Sequence, residues 1–220
     1  MNKFSTLAAS AALLLAACGE APAPEATTTP ETAATEQAEV TPAKATIPDG
    51  DYTVDVAASE IVWIGRKVTG EHRGNISLAS GNFRVGEGQL TGATFTMDMT
   101  SMTNTDLDEE YGGKLLGHLA SDDFFSTEAH PTANFEASTF VPTENGFVAK
   151  GMLTIKGITK PQEVDVTLED TDNGVAMRGM MKVDRTAFDI KYGSGSFFSD
   201  LGDKAIDDLF ELGFFVLATK

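Results

Sequence analysis

From Asp51 onward, hydrophobic and polar residues alternate with period two, the signature of strands that bury one face. Ala93, Phe95, Met97 and Met99 fall on one side, and Thr94, Thr96, Asp98 and Thr100 on the other. Phe135, Ala137, Thr139 and Val141 make a second apolar face, Val164, Val166 and Leu168 a third, and Val175, Met177, Gly179, Met181 and Val183 a fourth. The last run, Leu209 to Ala218, is apolar on both sides, which predicts a strand covered outside by a helix or loop.

Turn chemistry agrees with this pattern. Asn145-Gly146 and Asn173-Gly174 separate alternating runs, and Gly86-Glu87-Gly88 reads as another turn. Pro161 is expected to begin a strand, where its missing donor is tolerated. The predicted fold is all-β: an antiparallel meander of about eight strands that closes into a barrel and so removes its edges.

One connection is long. Between a strand ending near Met102 and one beginning near Ala133, Gly112-Gly113 is expected to stop any helix begun at Asp106. A short helix is predicted from Lys114 to Ala120, with Leu115, Leu116 and Leu119 on one side, and Ser121 is expected to cap a second turn holding Phe124 and Phe125. Such a segment either lies across a barrel mouth or plugs the core.

The N-terminus has a different character. Asn2-Lys3, an apolar stretch from Leu7 to Leu15 and then Leu15-Ala16-Ala17-Cys18 resemble a bacterial lipoprotein signal, cut before Cys18. The apolar run is shorter than the about 20 residues a spanning helix needs. Residues 1–17 are therefore expected to be a signal peptide. Residues 18–50 are expected to be a lipidated cysteine followed by a disordered Ala/Thr/Pro/Glu-rich tether, and residues 51–220 the barrel. A flexible coil of the tether's length spans about 30 Å. Gly19 stands where an aspartate often marks inner-membrane retention, so the expected place is the periplasmic face of the outer membrane.

Composition narrows the partners. A net charge of −17 without a basic cluster excludes nucleic acid, and Cys18 is the only cysteine, so the fold holds without disulfides. His72, His118 and His130 show no metal-ligand spacing, and no nucleophile or cofactor motif stands out, which argues against an enzyme. The alternating acids Asp106, Asp108 and Glu110 lack the glycine and the final glutamate of a calcium loop. Glycines interrupt strand patterns at Gly65, Gly92, Gly151, Gly157, Gly179 and Gly213, among 14 Phe and 8 Met. Each such glycine marks either a bend or room for a guest, and composition leaves both open.

Several segments in this order resemble the YceI-like family. They are Tyr52-Thr53-Val54-Asp55, the run from Gly117 to Phe125, Pro131-Thr132-Ala133-Asn134-Phe135, the run from Gly151 to Lys160, and Asp184-Arg185-Thr186-Ala187-Phe188. His130 stands where the family often has an aromatic residue, and Asp189 where it often has glycine. The resemblance implies a lipocalin-like barrel that binds a polyisoprenoid or quinone-like lipid, with no other cofactor. It implies interior contacts at Phe95, Met97, Met99, Phe135 and Gly151, and further along at Leu153, Ile155, Met177, Gly179 and Met181. At the mouth, Lys114, His118 and Arg185 are the candidates to meet a head group beside Phe124 and Phe125, with a structural salt bridge to a nearby acid the favoured alternative for Arg185. The expected function is a membrane-anchored carrier or reservoir for a long apolar lipid. The alternative is a structural or interaction lipoprotein with a filled barrel.

Overall fold

A computed structural model describes residues 47–220. The expected signal peptide, Cys18 and all but the end of the expected tether lie outside them. Eight antiparallel strands follow in chain order: β1 Gly50–Lys67, β2 Gly70–Gly86, β3 Gln89–Asp98, β4 Thr132–Pro142, β5 Phe147–Ile155, β6 Ile158–Thr171, β7 Gly174–Asp184 and β8 Leu209–Thr219. Each pairs with the next, and β8 pairs with β1, for example Trp63 with Leu212. The expected closed meander is what forms.

Tight turns set the register. Glu87-Gly88 and Lys156-Gly157 both have positive φ, 53° and 70°, then 51° and 71°. Two left-handed residues in succession match the twist of paired strands, and the second position falls to glycine because it has no Cβ to clash. Gly157 thus belongs to a hairpin turn and not to a strand, and β6 starts at Ile158, ahead of Pro161. The β6–β7 ladder begins only at Asp165, so the stretch around Pro161 is paired on the β5 side.

Two strand expectations fail for local reasons. A bulge in β4 between Ala137 and Thr139 shifts the alternation. Phe135 and Ala137 face the interior as expected, but Thr139 and Val141 turn outward, and Val141 is 44% exposed. Phe140 takes the inward place. On β8, no helix among the described residues covers the outer face. The Phe215 ring lies under the Arg178 guanidinium at 4.3 Å, and the Leu217 N–H donates to Ser59 on the irregular stretch of β1.

The single α-helix among the described residues, α1 Glu109–Ala120, runs straight through Gly112 and Gly113. Each glycine costs about 1 kcal/mol against alanine. The start is nevertheless secured, because the Asp108 carboxylate accepts from the Tyr111 N–H at 2.9 Å and Glu109 and Glu110 face the positive end of the helix dipole. Gly112 is buried, with a hypothetical Cβ 3.2 Å from the Asn104 side-chain oxygen, so tertiary packing favours the small residue. Ser121 closes this helix, its hydroxyl donating to the His118 carbonyl at 2.7 Å, and it heads the expected second turn through its backbone, its carbonyl accepting from the Phe124 N–H at 3.1 Å. The chain then turns, and Phe124 and Phe125 point back to the barrel.

The two ends of the barrel differ. At the end holding Gly50, Glu87-Gly88 and Thr219, the rings of Tyr52 and Phe83 stack at 5.0 Å among buried Val85, Leu90, Phe147 and Val175. This forms a floor. At the other end lie α1, the tip of the β1–β2 hairpin and the loop from β7 to β8.

Candidate binding cavity

Beneath α1 the barrel is hollow. A cavity of about 310 Å³ reaches down from the helix, and a second of about 60 Å³ lies deeper. The larger falls at the lower edge of pockets that bury a drug-sized molecule. Its roof is Leu115, Leu119, Phe124 and Phe125, and its walls include Met97, Met99, Leu153 and Ile155. Phe95, Phe135, Met177 and Met181 line the deeper one.

The inward alternation of β1 and β2 supplies a wall that the sequence reading missed. Trp63 and Gly65 on β1 face the larger cavity, as do His72 and Ile76 on β2. A Cβ at Gly65 would meet nothing within 4 Å, so this glycine does leave open space. Period two from Ile61 through Trp63 to Gly65 was the signal available. Tyr192, Ile206 and Phe210 complete the rim, and for Tyr192, in an irregular loop, no sequence signal existed.

Gly151 and Gly179 were expected to open the interior, and they line neither cavity. Gly151 pairs with Ala137 at the β4 bulge, where a Cβ would collide with the Glu136 carbonyl and come within 2.9 Å of the Phe135 ring. At Gly179 the place of a side chain is taken by Phe214. These glycines admit neighbouring backbone and rings, not a guest.

The polar residues expected at the mouth divide similarly. Lys114 is exposed on α1, donates to Glu110 at 2.6 Å and lies outside the cavity. Arg185 does touch the cavity, but its guanidinium is spent on the fold. Nε donates to the Asp207 carbonyl at 2.9 Å, one terminal nitrogen to the carbonyls of Ile190 and Tyr192, and the other to the Ile206 carbonyl and the Asp208 carboxylate. A guanidinium has five donors, and all five are taken. Burial pushes its pKa below the usual value, against the pull of Asp208, Asp184 and Asp207. Arg185 therefore pins the loop that shapes the rim and offers no free hydrogen to a head group.

His118 lines the cavity, with its ring edge-on to Phe124 at 4.9 Å and to Tyr192 at 4.5 Å, and its Nε2 3.4 Å from the Asp123 carboxylate. His72 lies across the cavity, with Nδ1 2.8 Å from Asp106. Asp106 itself ties the link before α1 to β2, accepting from the Arg73 N–H at 2.9 Å and from Asn104 at 2.7 Å. Burial works against its ionisation, yet these bonds outweigh it and hold its pKa below the usual value. Arg66, also on the wall, is paired with Glu71 and Glu211. Lys67 is the remaining cation there, and no ion pair reaches its ammonium among the described residues. The arrangement is a greasy, blind pocket with imidazoles and one free ammonium near its opening.

A family model described as YceI-like domain matches residues 52–216. Among solved structures, BcnA of Burkholderia cenocepacia superposes with a TM-score of 0.60 at 23% identity, covering 76% of this chain and 99% of that one. A polyisoprenoid binding domain from Saccharophagus degradans, described as implicated in plant cell wall breakdown, gives 0.57 at 14% identity, covering 76% of this chain and 97% of its own. At these identities the two structures share the fold with this chain. No curated protein matches it. The family match runs from β1 into β8 and takes in every wall of the cavity, and the chain belongs to the YceI-like family.

Proposed function

We propose that the barrel is a carrier or reservoir for a long apolar lipid, of polyisoprenoid or quinone-like kind, held in the cell envelope through a lipid on Cys18. The observation that carries this reading is the apolar cavity of about 310 Å³ beneath α1, above a closed floor. The structural likeness to a domain described as polyisoprenoid-binding supports it.

Physical chemistry adds a constraint. Burying a methylene gains about 0.8 kcal/mol relative to water. A prenyl chain already in a bilayer gains little by exchanging one apolar surrounding for another. Selection then depends on cavity shape and on polar groups at the rim, where Lys67, His72 and His118 are placed to meet an oxygen of the guest. The reading is one of binding and not of catalysis.

The lipobox-like sequence before Cys18 and Gly19 after it support placement on the periplasmic face of the outer membrane. A second reading, a scaffold with a filled barrel, is favoured by the lower half, where the Phe214 ring packs against Gly179 and only about 60 Å³ is empty. Mass spectrometry of solvent extracts from the purified chain separates the two. A carrier yields stoichiometric long-chain lipid, whereas a scaffold yields none and takes up none when offered it.

A further inference from the structure

The interior has a waist. Three residues, Met97 of β3, Leu153 of β5 and Leu212 of β8, stand in the walls of both cavities. They project from three separate strands, so together they separate an upper chamber of about 310 Å³ from a lower one of about 60 Å³. Below the lower chamber the Tyr52–Phe83 stack closes the barrel. A guest entering beneath α1 therefore meets first the waist and then a dead end.

We propose that this waist, with Met97 as its movable part, sets the length of apolar tail that the protein accepts; the proposal rests on the carrier reading above. Leu153 is 1% exposed and is fixed between β4 and β6 by its ladder with Phe135 and Lys160. Met97 is different in kind. Its side chain is unbranched and turns about three bonds, and a thioether packs against varied apolar surfaces at little cost. Swinging Met97 aside joins the chambers without moving a strand. A short tail stays in the upper chamber. A longer one displaces Met97 and lies along Phe95, Phe135 and Phe214, which line the lower chamber. The floor prevents any tail from passing through, so the acceptor site suits a single tail of bounded length with its polar end at the rim.

The test is a length series. Geraniol, farnesol, geranylgeraniol and solanesol are titrated into the full-length chain after solvent stripping, with fluorescence of Trp63, the chain's only tryptophan and part of the upper wall, as the readout. In the wild type, affinity is expected to rise by roughly tenfold or more with each added unit while the upper chamber fills. The gain per unit then drops sharply where the tail reaches Met97, because a longer tail must push that side chain aside to enter the small lower chamber. Met97→Ala moves that break to a longer alcohol, and Met97→Phe moves it to a shorter one. If Met97→Ala melts early by circular dichroism, Leu212→Ala opens the waist from the opposite wall and carries the same expectation. A break at the same length in every variant that folds, or affinity that rises by the same factor with every unit to solanesol in the wild type, overturns the waist and leaves the carrier reading standing. Failure of every alcohol to bind the wild type overturns both.

Discussion

The ring of Phe214 on β8 lies 2.5 Å from the point where a side chain at Gly179 on β7 would begin. Glycine and ring fill one volume between them, so any larger residue at 179 must push either the ring or the neighbouring strand. Overpacking of this kind costs about 1–3 kcal/mol. Gly179→Ala is expected to lower the urea midpoint by that much, and Gly179→Leu to prevent folding at moderate temperature. Equilibrium unfolding followed by circular dichroism measures both, and an unchanged midpoint in Gly179→Ala would contradict the packing.

Gly65 offers the contrast. Open space surrounds it on the cavity side. Gly65→Leu is expected to keep the wild-type melting temperature within a few degrees and to cut uptake of an apolar guest at least tenfold, since a side chain now occupies the upper chamber. Full uptake by this variant would mean that the guest lies elsewhere.

Arg185 joins five acceptors across the loop that frames the rim. Arg185→Met leaves buried carbonyls and Asp208 without their donor, and a loss of about 3 kcal/mol or more is expected. Arg185→Lys is expected to recover only part of it, because one ammonium cannot reach so many acceptors. Urea titration of the three proteins gives the order, and equal stability of the lysine variant and the wild type would argue against the five-bond account.

Acid should weaken the fold through Asp106. Its folded pKa lies below the usual value, against the raising effect of burial, because the Arg73 N–H, His72 and Asn104 bind the ionised form. The stability it supplies is complete above the unfolded value of about 3.9 and is lost as pH falls through the lower, folded value. The urea midpoint should thus hold level from about pH 7 to about pH 5 and drop below about pH 4. Asp106→Asn is expected to lower the plateau and flatten that drop, and a fall as steep as the wild type's would assign the acid sensitivity to other carboxylates.

Alternation made the barrel legible. Val164, Val166 and Leu168 on β6, and Val175, Met177, Met181 and Val183 on β7, turn inward as period two requires. Once β3 and β5 are known to face the interior, Met97, Leu153 and Ile155 follow as cavity walls. Where backbone geometry departs from the ideal, the reading slips. One extra residue in β4 sends Val141 outward, and a capped start carries α1 through two glycines. The rim was hardest to see, because it forms only when the barrel closes. Lys67 gains its place beside Ile206, a residue far along the chain that it meets in an isolated antiparallel bridge, whereas Lys114 remains on the outer side of α1. For Arg185 the sequence pointed to a structural role through nearby acids, but the four backbone carbonyls that take most of its donors were visible only in the fold.

Lys220, the last residue, donates its ammonium hydrogen to the carbonyl of Asp49 at 2.7 Å, one residue before β1 begins. Start and finish of the barrel are thus neighbours on the outside of the floor. A few added residues would splice them, and the ring could then be cut afresh in the exposed 143–146 loop, with every rung of the ladder kept. Such a rearranged chain would start and end at another corner of the molecule and show whether the barrel needs its original strand order to close.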